Sequence, residues 1–292
     1  MTVPLLHLQD RLTRLSIAPG LGASLANWQV TATGQALLRH ADEAALGSGS
    51  PRRLGCYPLV PWSNRIAEGG FACPSGWLAL PPNTDHDAYP IHGSAWQQAW
   101  QVEHHSERRA RLHLDSKVPF AYRATLDVHL HEGRLRLDLH VVHLDERAVW
   151  HGLGLHPYFP RYPDTQLQVT AQQVWLGEHG QLPSRQAAIP AGWRFDTLRE
   201  LPGGAVDHAF SGWAGECVIE QPSAGYRLEC TASGAEYFLL YCPPGQPFFC
   251  FEPVSHPVNA HHLPGRPGLR LLQQGEELNL GFSLQYAATQ SN

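Results

Sequence analysis

Lysine is almost missing from this 292-residue chain, Lys117 being the only one, and Met1 is the only methionine. Charged residues make up 16% and the net charge is −5. A mildly negative protein with few cations has no long-range field to gather nucleic acid or anionic lipid, so neither is expected as a partner. No run of about 18 apolar residues is present, which excludes a membrane-spanning helix. The six cysteines lie far apart with no CxxC pair, so a disulfide framework is not expected. The first residues, Met1 to Asp10, lack a basic n-region and an apolar core, and a cytoplasmic protein with free thiols is expected. GxGxxG after a strand, GxxxxGK[ST], GxSxG and HExxH are all absent. No metal and no cofactor is expected.

Turn formers and short alternating runs are what the chain does have. Its 27 glycines and 24 prolines exceed an average share and are spread throughout. Residues 122–130 and 134–141 alternate apolar and charged residues on either side of Glu132-Gly133, which predicts a β-hairpin with one buried and one wet face. The same period recurs at 110–115, 226–231, 237–242 and 277–284, while no sustained helical stripe with a cap is found. Strands at such short intervals predict an all-β, antiparallel β-sandwich or barrel. No composition break or repeat divides the chain, so residues 1–292 are expected to form a single domain.

Four segments depart from plain strand pattern: residues 57–66, 91–96, 152–159 and 251–260. Each sets one or two polar residues among aromatics, glycines and prolines, a composition suited to a sugar pocket. A flat ring covers the apolar face of a pyranose while Asn, Arg, His and carboxylates bind its hydroxyls. Trp62, Trp96, Tyr158 and Phe210 are expected in the core, with one or two of them lining the pocket.

Taken in order, Ser63-Asn64-Arg65-Ile66, Ile91-His92-Gly93, His156-Pro157-Tyr158-Phe159, Asp207-His208-Ala209-Phe210 and Phe251-Glu252-Pro253 resemble the motifs of the aldose 1-epimerase (galactose mutarotase) family. The resemblance runs through most of the chain. It implies a β-sandwich of the galactose mutarotase type with an open sugar cleft, Glu252 as general base and His156 as general acid. It also implies Arg65, His92, Asp207 and Asn64 as substrate contacts. The long galactose mutarotases carry Asn before and Ser after the catalytic histidine, where this chain has Leu155 and Pro157; it looks like the compact bacterial branch. The expected partner is a small monosaccharide, and the expected assembly a monomer or homodimer.

The chemistry asks for these residue types. Opening a hemiacetal needs a base at the C1 hydroxyl and an acid at the ring oxygen, and closure on the other face reverses the roles. A carboxylate and an imidazolium are an opposed pair near neutral pH, and a carboxylate such as Asp207 nearby would favour the charged His156. Three other readings use the same residues. Arg52 and Arg53 would serve a mutarotase of a phosphorylated or sulfonated sugar. Asp207 and Glu252 would be the carboxylate pair of a glycoside hydrolase. A non-catalytic sugar-binding or sensory module would keep the cleft and have no use for both acid and base.

Overall fold

Residues 3–177 and 182–289 are described by the structure, a computed structural model. The alternating run around Glu132 folds as a hairpin of Tyr122–His131 against Arg134–His143, with Leu130 opposite Leu135. Glu132 and Gly133 both take positive φ, 48° and 73°, the turn geometry whose twist matches that of paired strands. Leu126, Val128, Leu137 and Leu139 turn inward and are buried. The opposite face is wet and carries exposed ion pairs such as Arg123–Asp115 and Arg111–Asp127.

This hairpin lies within a nine-stranded antiparallel sheet. From one edge the order is Phe195–Glu200, Gln166–Val169, Glu216–Gln221, Tyr226–Ser233, Glu277–Ala288, Arg134–His143, Tyr122–His131, Arg109–Ser116 and Gln101–His105. A second antiparallel sheet runs Arg185–Ala188, Gln173–Leu176, Val206–Ser211, Tyr237–Cys242, Phe248–Val254, Gly154–Leu155 and Pro58–Leu59, with Tyr158–Pro160 also paired to Phe248–Val254. Phe210, Phe238, Phe249 and Phe251 from the second sheet join Ile219, Leu228, Leu280 and Phe282 of the first in one buried cluster. The fold is therefore an all-β antiparallel sandwich, as the alternation predicts. A smaller sheet of Leu6–Gln9, Thr13–Ala18 and Ser24–Val30 adds Leu15, Ile17 and Trp28 to that cluster.

Among the described residues the α-helical content is one short piece, Glu43–Gly47, capped where the Asp42 carboxylate accepts from the Ala45 N–H. No helix among them is long and apolar enough to cross a membrane. All six cysteines are free thiols.

Strand period decides where the chemistry can be. In Phe248–Val254 the residues Phe249 and Phe251 enter the inter-sheet core, so Cys250, Glu252 and Val254 must face the other way. The same alternation in Val206–Ser211 and Tyr237–Cys242 sends Asp207, Ala209, Leu239 and Tyr241 to that outer side. The outer face of the second sheet thus gathers a polar floor rimmed by Tyr57, Trp96, Tyr158 and Trp175.

Candidate functional site

Glu252 and His156 meet on that face. Their closest atoms, His156 Nε2 and Glu252 Oε1, are 3.3 Å apart, and the two residues are only 6% and 2% exposed. The His156 ring packs against Tyr57 at 4.7 Å and Tyr158 at 4.6 Å, each nearly parallel to it, and the two tyrosines adjoin each other with centroids 6.4 Å apart, so the imidazole plane has little freedom. Arg39 stacks under Tyr158, 3.6 Å from the ring centre, and ties its guanidinium to the carbonyls of Arg52 and Leu54. Neither Glu252 Oε2 nor His156 Nδ1 has a hydrogen-bond partner among the described residues.

The loops at residues 60–66 and 91–93 pair with each other beside this contact, through bridges Val60–Gly93 and Arg65–Ile91. Asn64 and His92 both adopt left-handed backbone, φ 59° and 63°. They lock reciprocally: the Asn64 N–H donates to His92 Nδ1 at 3.0 Å, and the His92 N–H donates to the Asn64 carbonyl at 3.0 Å. Because Nδ1 accepts, the neutral His92 ring carries its hydrogen on Nε2 and offers a donor there. Burial, with His156, Arg52 and Arg65 adding to it, holds His92 well below the ordinary imidazole value.

Arg65 is oriented from two sides. Its Nε donates to Asp87 at 2.7 Å, in a pair that is 10% and 4% exposed, and its Nη1 donates to Asn64 Oδ1 at 3.3 Å. The amide oxygen of Asn64 also accepts from the Arg65 backbone N–H. Asn64 thus acts mainly on Arg65, and only its NH₂ end is left for a ligand. Asp207 faces Tyr241 in register, which in turn faces Cys250, so it stands two strands from the strand of Glu252, roughly 10 Å away. Its side chain is exposed, and it is the open member of the group.

The charges differ from the expected carboxylate and imidazolium. Burial, then Asp207, push the Glu252 carboxyl well above its usual range, while Arg65 and Arg52 pull the other way. Burial, then Arg52 and Arg39, bring His156 down to about 3. Asp207 therefore does not hold His156 charged; its field falls on Glu252. Partial burial also raises Asp207, against the opposing pull of Arg65 and His208. Without a ligand the pair favours a protonated Glu252 beside a neutral His156.

A cavity of about 600 Å³ is lined by Arg52, Asn83, Thr84, Asp85, His86 and Trp96, with neither His156 nor Glu252 in its wall. Trp96 stacks on Tyr57, which stacks on His156. Another cavity, of about 460 Å³, lies against Trp213, Cys217 and Cys230 and includes neither member of the pair. Of the four expected aromatics, Trp96 and Tyr158 rim the cleft, and Trp62 and Phe210 belong to the inter-sheet core.

Sequence reasoning did not single out Tyr57, Asp87, Arg39 or Cys250. Tyr57 and Asp87 act through contacts across the fold and leave no local pattern. Cys250 was within reach, since it precedes Glu252 by two and a strand puts such residues on one face. The paired histidines at 104–105, 129–131 and 261–262 do not converge with third ligands. Among the described residues one group of His, Cys, Asp and Glu could surround an ion, namely His156, Cys250 and Glu252.

A family model described as aldose 1-epimerase matches residues 4–285. The uncharacterized protein YphB of Escherichia coli K12 is 32% identical over 248 residues, covering 82% of this chain and 86% of YphB. A crystal structure of a candidate aldose 1-epimerase from Escherichia coli K12 superposes with a TM-score of 0.90 at 27% identity, covering 98% of this chain and 99% of the other. A galactose mutarotase-like protein from Clostridium acetobutylicum shares the fold at a TM-score of 0.83 and 17% identity, with 97% and 95% covered.

Proposed function

The chain belongs to the aldose 1-epimerase family, and from that premise we propose that it interconverts the α and β anomers of a free aldohexose by acid–base ring opening and re-closure. The observation that carries the reading is the 3.3 Å contact between His156 Nε2 and Glu252 Oε1, with the imidazole packed against Tyr57 and Tyr158 on the floor of a polar cleft. Ring opening takes one proton from the C1 hydroxyl and places one on the ring oxygen. The C1–C2 bond rotates, and closure returns both. A carboxyl and an imidazole holding one proton between them supply what each direction needs.

Glu252 serves as base and His156 as acid in the opening step. The resting pair is uncharged, so the carboxylate–imidazolium form is reached by moving one proton along the contact. Arg65 and Arg52, which both favour ionised Glu252, lower the cost of that form. Arg65, His92, Asn64 and Asp207 bind sugar hydroxyls, and Trp96 lies at the mouth as a flat apolar wall. The step is a proton relay on a hemiacetal and calls for neither hydride transfer nor a nucleotide. A glycoside hydrolase using Asp207 and Glu252 would leave His156 idle.

A second reading, an aldose bearing phosphate or sulfonate, is favoured by Arg52 alone. Its guanidinium lies 5.9 Å from the Trp96 ring at the edge of the 600 Å³ cavity, with no hydrogen bond or ion pair among the described residues. Arg53 is exposed. The test is polarimetry of freshly dissolved α-glucose, α-galactose and a 6-phosphate sugar with and without the protein. Faster decay to the equilibrium rotation with a free hexose is the expected result. Acceleration with the phosphorylated sugar alone selects the second reading. Binding without acceleration of any of them would make the protein a sugar-binding module.

A further inference from the structure

We propose that His156, Cys250 and Glu252 form a binding site for a thiophilic divalent cation of the zinc type, and that the bound ion blocks the acid–base pair reversibly. The blocking rests on the epimerase reading; the binding does not.

The three residues offer one nitrogen, one sulfur and one oxygen donor within 4.8 Å of one another, and all three side chains are buried. Two of the donors are already at the spacing an ion requires. With Zn–N and Zn–O bonds of about 2.05 Å, a tetrahedral site has an N···O edge of about 3.3 Å, which is the separation of Nε2 and Oε1 here. The thiolate must come to about 3.6 Å from each, and small χ1 changes suffice because Cys250 and Glu252 share one face of the same strand. Tyr57 and Tyr158 already fix the imidazole plane. Glu252 Oε2 has no partner among the described residues to give up on binding. Three protein donors leave a fourth position toward the cleft, as in an exchangeable site and unlike a closed structural one.

The proton balance is explicit. The ion displaces the thiol proton of Cys250 and the proton shared by Glu252 and His156, so two protons leave as the cation is bound by thiolate, carboxylate and neutral imidazole. Burial holds the Cys250 thiol proton tightly, with Glu252 adding to it, and Arg39, Arg52 and Arg65 around the cleft oppose a dication. Asp207 favours it. The affinity is therefore that of an inhibitory, chelator-reversible site.

The decisive experiment titrates the purified, chelator-treated and reduced full chain with Co²⁺ and follows the thiolate-to-metal absorption band. One equivalent should raise the band, added Zn²⁺ should remove it, and Cys250→Ala should lack it. In parallel, Zn²⁺ should suppress anomer interconversion and EDTA should restore it. Cys250→Ala should keep its rate within a few-fold while needing at least about ten times more Zn²⁺ for the same loss. Absence of a thiolate band in folded wild type overturns the site, whatever the catalytic result. So does a band that survives in Cys250→Ala, which would put the ion on the facing pair Cys217–Cys230. If Cys250→Ala does not fold, X-ray absorption of the zinc-loaded wild type decides: one sulfur with nitrogen and oxygen donors supports the site, and no sulfur or two sulfurs overturns it.

Discussion

Replacing the Glu252 carboxyl by an amide keeps its size and its place between the strands but removes a titratable proton. Glu252→Gln is therefore expected to stay folded, to bind sugar, and to lose about 10²–10⁴-fold in anomer interconversion. His156→Asn should lose a similar amount. In the proposed mechanism the two pass one proton across their 3.3 Å contact, so their losses should not add, and the double variant should be little worse than either single one. Mutarotation rates of the three variants, with circular dichroism for folding, test this; additive losses would break the pairing. The pH profile follows from the two shifts. Glu252 is raised, so the pair keeps its proton above the usual carboxylate range and the alkaline limb reports its loss. His156 is lowered to about 3, so the second proton arrives only in strong acid. A plateau through neutral pH with an alkaline fall is expected. A profile that instead follows an ordinary imidazole near 6.5 would show that the uncharged resting pair is wrong.

The loops that carry Asn64 and His92 depend on one small residue. Gly93 has φ +66°, and a Cβ there would fall inside the contact distance of the Val60 carbonyl. Gly93→Ala combines left-handed strain of about 1–2 kcal/mol with a backbone clash that no rotamer relieves. It is expected to cost roughly 3 kcal/mol or more and to loosen the Asn64–His92 lock. Denaturant melts and sugar affinity measured together check it, and a variant of wild-type stability would refute the role given to this glycine. The Glu132-Gly133 hairpin is simpler, because its turn and its alternation are both local. The 60–66 and 91–93 loops pair across some 28 residues of chain, and nothing in either one announces the other.

At the scale of the whole fold, five buried histidines among the described residues are held below the ordinary imidazole value: His92, His151, His156, His256 and His261. Burial is the largest cause in each, and it lowers His151 and His156 to about 3 and His256 to about 4. A lowered histidine adds stability that is fully present above its unfolded value, near 6.5, and is lost as pH falls toward the folded one. Each contributes about 1.4 kcal/mol per pH unit in that window, so five together remove up to about 7 kcal/mol per unit from a total of about 5–15 kcal/mol. Glu252 and Asp207, both raised, act in the opposite sense between the ordinary carboxylate value and their raised ones, so they offset part of this loss as pH falls. Cooperative unfolding between roughly pH 6 and 4 is expected by circular dichroism, and an unchanged thermal midpoint at pH 4 would contradict it. Period two, dispersed turn residues and the motifs around His156 and Glu252 were legible in the chain because each rests on residues close in sequence. The sandwich and the membership of the cleft follow from them. What the chain alone could not decide is the charge of the pair, the Arg65–Asp87 contact, the packing of Tyr57 and Tyr158 on His156 and the nearness of Cys250. Those depend on how far water is excluded and on which distant strands become neighbours, and both are properties of the packed molecule.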